Sequence, residues 1–508
     1  MNEEEKEEEE KKQQQQLQEV VQPPQEQVRE VEQPQEQQQQ KEKIIENTNE
    51  TDVTKKPKLF FSARLLLSIV CSIAIFNVSY VRIGISIVIV CMTLPRNNEN
   101  INSGEFDWSS STKGFLTSAS FYGFIIGPSI AGFLSFKYGG KIIIIAGTFL
   151  TGSVNVFLPE GTRLTPVLFF IIRLVSGIFG SFIFPAFYDL MANWVVPEER
   201  QLLVGGSLIG IQLSSILNFP INTLTCNYMG WVWIFYLLSI WLIACGFLFV
   251  FTIYNVPEKC PFIKEKELEF LKDKIQKPVK TDIPWKEIIM SLPIYAYILM
   301  HFCINYVFLS IILSLPMVME EVYHLPLQEN GIISAMPFLG SLVVRVLLCF
   351  FFENLRNKLK LSKNKMRKIF ISIGAVFISV FFLIITLLPY QYWYWVLGCF
   401  IIVSCSLELC VTGGYLLSLL DLCPSYVNIV SGVANSIGNT AGLICPVLNG
   451  LITINGTKEE WNVVFYVNIT ILLVSVGFYL MFGQSRTQYW DLSSSHVPTG
   501  LPRSTMSI

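Results

Sequence analysis

The chain has 508 residues, 52% of them hydrophobic and only 15% charged, with a formal net charge of −2 and a mean hydropathy of +0.48. A soluble protein of this length needs more polar surface, so the composition points to a membrane protein and away from a soluble enzyme or a nucleic-acid binder. The small net charge hides an asymmetry: residues 1–58 carry 16 acidic and 9 basic side chains, the remainder 23 and 28.

The acidic arm opens MNEEEKEEEEKKQQQQ and continues through Gln, Glu and Pro to Lys58. It has too few large apolar residues to offset its ordering entropy, so it is expected to be a disordered cytoplasmic tail. It also lacks the basic start of a signal peptide. Apolar runs of roughly 20 residues can cross ~30 Å of hydrocarbon as helices. They fall near 62–94, 114–135, 140–158, 165–191, 202–225 and 232–254, then 289–318, 331–352, 368–388, 392–420, 428–453 and 462–482. The expected fold is therefore an all-α membrane protein with twelve transmembrane helices in two six-helix halves, 59–254 and 287–483. Residues 255–286 form a cytoplasmic linker and 484–508 a second cytoplasmic tail. Eighteen Lys and Arg lie in the loops on the linker side, against Arg96, Lys113, Arg163 and Lys458 on the other, so both termini are expected in the cytoplasm. Gly206 and Pro220 in the fifth span have the same spacing as Gly432 and Pro446 in the eleventh, a weak echo between the halves.

Two arginines stand out within these spans, Arg82 in IFNVSYVRIGISIVIVCM and Arg173 in PVLFFIIRLVSGIFG. An ionised guanidinium at bilayer depth costs about 3 kcal/mol on insertion scales, so such a residue faces a cavity or a partner. Its planar fork suits a carboxylate or phosphate; the alternative is bonding to helix carbonyls or to an internal acid. His301 is the one histidine within a span and can carry a coupling proton, or can simply bond a neighbouring helix. Asn305 follows one turn later on the same face. Glu408, in SCSLELCVTGG, is a second coupling candidate or else half of a structural ion pair. Arg345 sits mid-span in the eighth helix; pairing with an acid is one expectation, and the sequence assigns it no place in the site. Tyr122 on the second span completes the expected substrate contacts. Asp189, Asp421, Lys137 and Lys141 lie near the cytoplasmic ends of their spans and are expected to serve the gate. Asn455-Gly-Thr is a glycosylation candidate on the opposite side, and Tyr489-Trp-Asp-Leu492 matches a tyrosine-based sorting signal. The 12 cysteines show no metal-ligand or disulfide-framework spacing and read as small packing residues.

Several segments together resemble a known family: YVRIGISIVIVCM, FDWSSSTKGFLTSASFYGFIIGPSIAGFLSFKYGGK, RLVSGIFGSFIFPAFYDLMANWVVPEER, GWVWIFY, LPLQENGIISAMPFLGS and SGVANSIGNTAGLICPVLNG. In order and spacing they look like the major facilitator superfamily, and within it the anion transporters that comprise sialin, the vesicular glutamate transporters and the type I sodium–phosphate cotransporters. The resemblance covers about residues 62–490. It implies that the first, fourth, seventh and tenth helices line a central pathway, with Arg82 and Arg173 at the family's two arginine positions. It matches His301 to a histidine of the sialin and phosphate branches. The arginine of the glutamate branch is replaced by Ile304. Two family glutamates after the fourth-helix arginine are replaced by Ser176 and Gly180, two family histidines by Thr117 and Tyr188, and an Asn-His pair by Ser418-Leu419. Asp421 is kept.

The resulting expectation is a secondary transporter of organic or phosphate-like anions, working by alternating access and driven by H+, Na+ or voltage. An uncoupled anion uniporter or channel and a non-transporting sensor are the alternatives. The expected partners are the bilayer, a small organic anion and a coupling ion; no cofactor, metal or nucleic acid is expected. An endosomal, lysosomal or vesicular membrane is the expected location, with the plasma membrane as the alternative.

Overall fold

The computed structural model describes residues 57–93, 104–275, 282–323, 332–389 and 391–491. The expectations for residues 1–56 and for Leu492 onward lie outside these residues. The short helix Glu265–Lys274 has Glu265 and Glu267 in its first turn and Lys272 and Lys274 in its last, the arrangement that suits a helix dipole.

Among the described residues of the main body, ten helices are long and apolar enough to cross a membrane, and the bent pair Gly140–Asn155 and Leu158–Leu164 makes an eleventh. The remaining pair, Val427–Asn439 and Ala441–Ile452, carries more polar and small residues and completes twelve spans. The first six are Ala63–Ile83 with Ile85–Thr93, Ser110–Tyr138, the bent pair, Pro166–Gly180 with Ile183–Trp194, Arg200–Ser207 with Ile209–Met229, and Trp231–Thr252. The seventh to tenth are Leu292–Glu321, Met336–Lys358, Lys363–Leu387 and Trp393–Cys410 with its continuation to Leu422; the twelfth is Lys458–Phe482.

Helix starts follow capping residues legible in the chain. Ser62 accepts from Leu65 N at 3.2 Å, and Thr165, just before Pro166, accepts from Leu168 N at 3.1 Å. Thr457 and Glu460 form a reciprocal capping box. Breaks within spans have packing causes. The first span interrupts at Gly84, where any Cβ would sit 2.9 Å from the Asn218 and Asn222 side chains of the fifth. Asn218 donates to Tyr80 O at 2.9 Å and the Tyr80 hydroxyl donates to Asn222 at 2.9 Å, so the break is held by polar bonds. The tenth span contains a π-helical turn, Val411–Tyr415, with Gly414 outside helical geometry. Such turns re-aim side chains and recur at functional sites.

One cysteine expectation is corrected. Cys91 at the end of the first span and Cys226 at the end of the fifth form a disulfide, with Cα atoms 6.2 Å apart. The pairing joins residues 135 apart in sequence, so no local spacing announces it. Most of the remaining cysteines are buried and free, as packing residues should be.

Candidate central binding site

A cavity of about 300 Å³ lies between the two halves. Its wall includes Arg82 from the first span, Gln212 from the fifth, His301 and Asn305 from the seventh, Arg345 from the eighth, and Glu408 and Tyr415 from the tenth. The cavity reaches Gly114, Leu313 and Pro446, towards the far end of the bundle from the central loop.

Arg82 is a half-buried cation of this wall. Its guanidinium lies 5.1 and 5.6 Å from the ring centres of Phe121 and Phe124, and its buried Nε and Nη2 have no hydrogen-bond partner. The aromatic faces stabilise the charge without using its N–H groups. Arg173 has a different fate. It is 1% exposed, is absent from the cavity wall, and donates from Nη2 to Val81 O at 3.1 Å and to Ser120 Oγ at 3.2 Å. The expectation that both arginines face the pathway is therefore corrected: the fourth-span arginine ties the first and second spans together. Tyr122 is corrected too. It is 38% exposed on the outer face and its ring lies 5.7 Å from Phe170, so it does not line the cavity.

His301 exchanges a hydrogen bond with the Tyr415 hydroxyl at 2.9 Å through Nδ1 and stacks on Tyr297 at 5.9 Å. Asn305 donates to His301 O at 2.8 Å and approaches Nε2 at 3.4 Å. The Tyr415 hydroxyl and the Asn305 amide thus lie one at each ring nitrogen of His301. The π turn brings Tyr415 to this position. Across the cavity, Arg345 donates to Glu408 from Nε and Nη2, each at 3.0 Å. Glu408 also accepts from Gln212, on the other half, at 2.6 Å and from Thr412 at 2.9 Å. Glu408 is thus the partner that Arg345 needed. Removing one member of such a buried pair typically costs ~3–5 kcal/mol.

The end that carries the central loop is sealed. Asp421 of the tenth span takes Arg200 of the fifth at 2.6 Å and Arg367 of the ninth at 2.8 Å. Asp189 accepts from Gly140 N at 2.8 Å and, across the seam, from Asn428 at 3.2 Å. Ser129 and Ser436 hydroxyls meet at 2.8 Å, and Lys363 donates to Pro197 O at 2.7 Å. A Cβ on Gly432 would lie 2.6 Å from Pro128 O, so the second and eleventh spans touch through backbone there. Lys141 stays within its half, donating to Val250 O at 2.9 Å, and Lys137 is exposed beside Tyr138. Arg200, Arg367 and Gln212 escaped the sequence reading; the signal was Asp421, a carboxylate at a span end that demanded cations. Asn455 is exposed, with its amide donating to Glu460 at 2.8 Å.

Beyond the last span, Gln488 N donates to Leu422 O at 3.0 Å and Ser425 N to Asp491 at 3.2 Å, so the tail straps the loop between the tenth and eleventh spans. Burial pushes the Asp491 carboxyl up to about 7.

Residues 65–446 match the family model of the Major Facilitator Superfamily. The chain belongs to that superfamily. Human sialin is 28% identical over 86% of this chain and 92% of its own length. A zebrafish (Danio rerio) vesicular glutamate transporter 3 is 27% identical over 82% and 72%. Among solved structures, a proton:xylose symporter superposes with a TM-score of 0.64 at 14% identity, covering 83% of this chain and 95% of that one. An outward-facing bacterial homologue of the iron transporter ferroportin gives 0.61 at 12%, covering 83% and 99%. These two likenesses concern the fold alone. The chain is a multi-pass membrane transporter of this superfamily, not an enzyme.

Proposed function

We propose that this transporter carries a small organic anion by alternating access, with Arg82 as the residue that holds the anion. The observation that carries this reading is a guanidinium in a cavity wall with two buried N–H positions unpartnered. A carboxylate or phosphate oxygen in the cavity supplies what those donors lack. The halves 59–254 and 287–483 rock about the cavity, and the seam at Asp421, Asp189 and Ser129 opens when the far end closes.

Both termini are assigned to the cytoplasm. The loop charge asymmetry supports this, and so does the Cys91–Cys226 disulfide at the far end of the bundle, because disulfides persist on the lumenal or extracellular side. An internal, vesicular-type membrane fits the likeness to a vesicular glutamate transporter. His301 is the favoured coupling group, since Glu408 is held by Arg345, Gln212 and Thr412. A second reading, an uncoupled uniporter, has one observation in its favour. The fourth span offers no carboxylate at Ser176, which instead accepts from Asn155 at 2.9 Å.

Uptake into proteoliposomes under separately imposed pH, sodium and voltage gradients tests both. Uphill uptake driven by pH and lost in His301→Gln supports coupling through that residue. Downhill flux alone, insensitive to His301→Gln, supports the uniporter. Binding without flux sinks the transport reading.

A further inference from the structure

The π turn of the tenth span, Val411–Tyr415, lies between the cavity and the sealed end and is bonded to both. Leu416 N donates to Val411 O at 3.3 Å across the turn. At membrane depth such an irregularity persists where neighbouring side chains satisfy the backbone it disturbs. Two carbonyls of the turn have partners of that kind. Gln201, at the start of the fifth span and in the opposite half, donates from Nε2 to Thr412 O at 2.9 Å. Arg367 of the ninth span donates from Nη1 to Gly414 O at 3.0 Å and from Nη2 to Asp421 at 2.8 Å. Asp421 in turn takes Arg200, the residue beside Gln201. Gln201, Thr412 and Arg367 are each at most 3% exposed, so water does not compete for these bonds. On the cavity side, the same turn carries the Tyr415 hydroxyl to His301 and the Thr412 hydroxyl to Glu408, each at 2.9 Å.

We infer that Gln201 is a positioning residue for the cavity: by holding the π turn from the opposite half, it makes the His301–Tyr415 contact depend on whether the sealed end is shut. The inference rests on the alternating-access reading. When the halves part at the seam, Arg200 and Gln201 leave the tenth span together. Thr412 O then loses a buried donor, and the turn must find another arrangement to replace it. Tyr415, three residues further on, moves with the turn, so His301 meets a different partner geometry in the open form. Linkage acts in both directions: whatever shifts Tyr415 from within the cavity loosens Gln201 and eases the seam. The π turn is the two-state element that both ends bias. Arg367 stays with the turn, because it lies in the same half. Gln212 also crosses between halves, but it bonds Glu408 in the cavity wall and not the turn. Gln201 is therefore the side chain through which the seam acts on the turn directly.

The test is a double-substitution cycle on the full chain in proteoliposomes. It is read by maleimide labelling of Ser431→Cys from the central-loop side, a position with 0% exposure in the sealed form, with the rate of the chain lacking that substitution subtracted. Gln201→Met removes the amide donor at similar length, and Tyr415→Phe removes only the hydroxyl. Each alone should raise the labelling rate at least about twofold. Together they should fall short of the product of the two factors by at least about twofold, because both act through one turn. Ser129→Ala removes a cross-seam contact that does not touch the turn, so its factor should multiply with that of Tyr415→Phe. Factors that multiply for Gln201→Met with Tyr415→Phe overturn the inference, as does either single rate equal to wild type. The alternating-access reading survives those results if Asp421→Asn and Ser129→Ala still raise the rate; labelling unchanged in every variant overturns both. Hydrogen exchange across residues 411–416 is a second readout that needs no added cysteine. Gln201→Met, and Gln201→Leu as its independent check, should speed it at least about twofold. Exchange equal to wild type in both overturns the inference.

Discussion

Substituting Asp421 by Asn should loosen the sealed end of the transporter by a calculable amount. The carboxylate takes two guanidinium groups, but only the 2.6 Å bond to Arg200 crosses the seam; Arg367 lies in the same half. A hydrogen bond to a charged group contributes about 1.5–3 kcal/mol and a neutral one about 1. Asparagine can keep a neutral bond to Arg200, and Arg200 keeps its 3.0 Å bond to Leu420 O. The net loss is about 1–2 kcal/mol, a factor of roughly 5–30 in the equilibrium between sealed and open forms. The assay is maleimide labelling of Ser431→Cys, a side chain with 0% exposure in the eleventh span, from the central-loop side. Its labelling rate follows the minor open population and should rise by that factor. Arg200→Gln should raise it similarly, and Arg367→Gln less. An unchanged rate in Asp421→Asn, or a larger effect from Arg367→Gln than from Arg200→Gln, would refute the claim that this bond locks the seam.

Arg173→Met should lower folded yield and melting temperature while leaving the affinity of surviving protein near wild type, because its bonds go to Val81 O and Ser120 rather than to the cavity; a selective loss of affinity in stable protein would contradict this. Asp491 is buried with its carboxyl raised from 3.8 to about 7, so the docked strap holds a proton that the released strap gives up. Docking should therefore weaken as pH rises from about 4 through 7, and Asp491→Asn should abolish that dependence; hydrogen exchange at residues 488–491 is the readout, and a pH-independent wild type would sink the claim. Cys91 and Cys226 should resist thiol reagents until reduction, and Cys226→Ser should leave Cys91 labelled from the side opposite the central loop. Labelling from the central-loop side would reverse the assigned orientation.

The spans were legible because they are long apolar runs, many of them bounded by Ser, Thr, Pro or Gly signals, and the structure sets their limits within about six residues of the expected ones. What sequence could not resolve was rotation about each helix axis. Phe121 lines the cavity and its neighbour Tyr122 faces outward, a difference of ~100° that one residue introduces. Arg82 and Arg173 lie in equally apolar strings, yet the first meets phenylalanine faces and the second meets a carbonyl freed near a helix break. Long-range partners were likewise hidden. Glu408 and Arg345 are 63 residues apart, Glu408 and Gln212 are 196 apart, and only the lipid cost of an unpaired charge signalled that partners existed. The central motif of the site, His301 against Tyr415, depends on a π turn that the Gly413-Gly414 pair permits but does not announce.

If the guanidinium of Arg82, with its Nε and Nη2 unpartnered, is the anion-binding group, anion uptake by Arg82→Lys in proteoliposomes beside wild type and Arg82→Ala is decisive. Lysine keeps the charge but not the planar fork. Arg82→Lys should fail nearly as badly as Arg82→Ala in protein that reconstitutes normally, with affinity for the anion lost in both. Near wild-type uptake by Arg82→Lys would contradict it and reduce Arg82 to a source of positive potential.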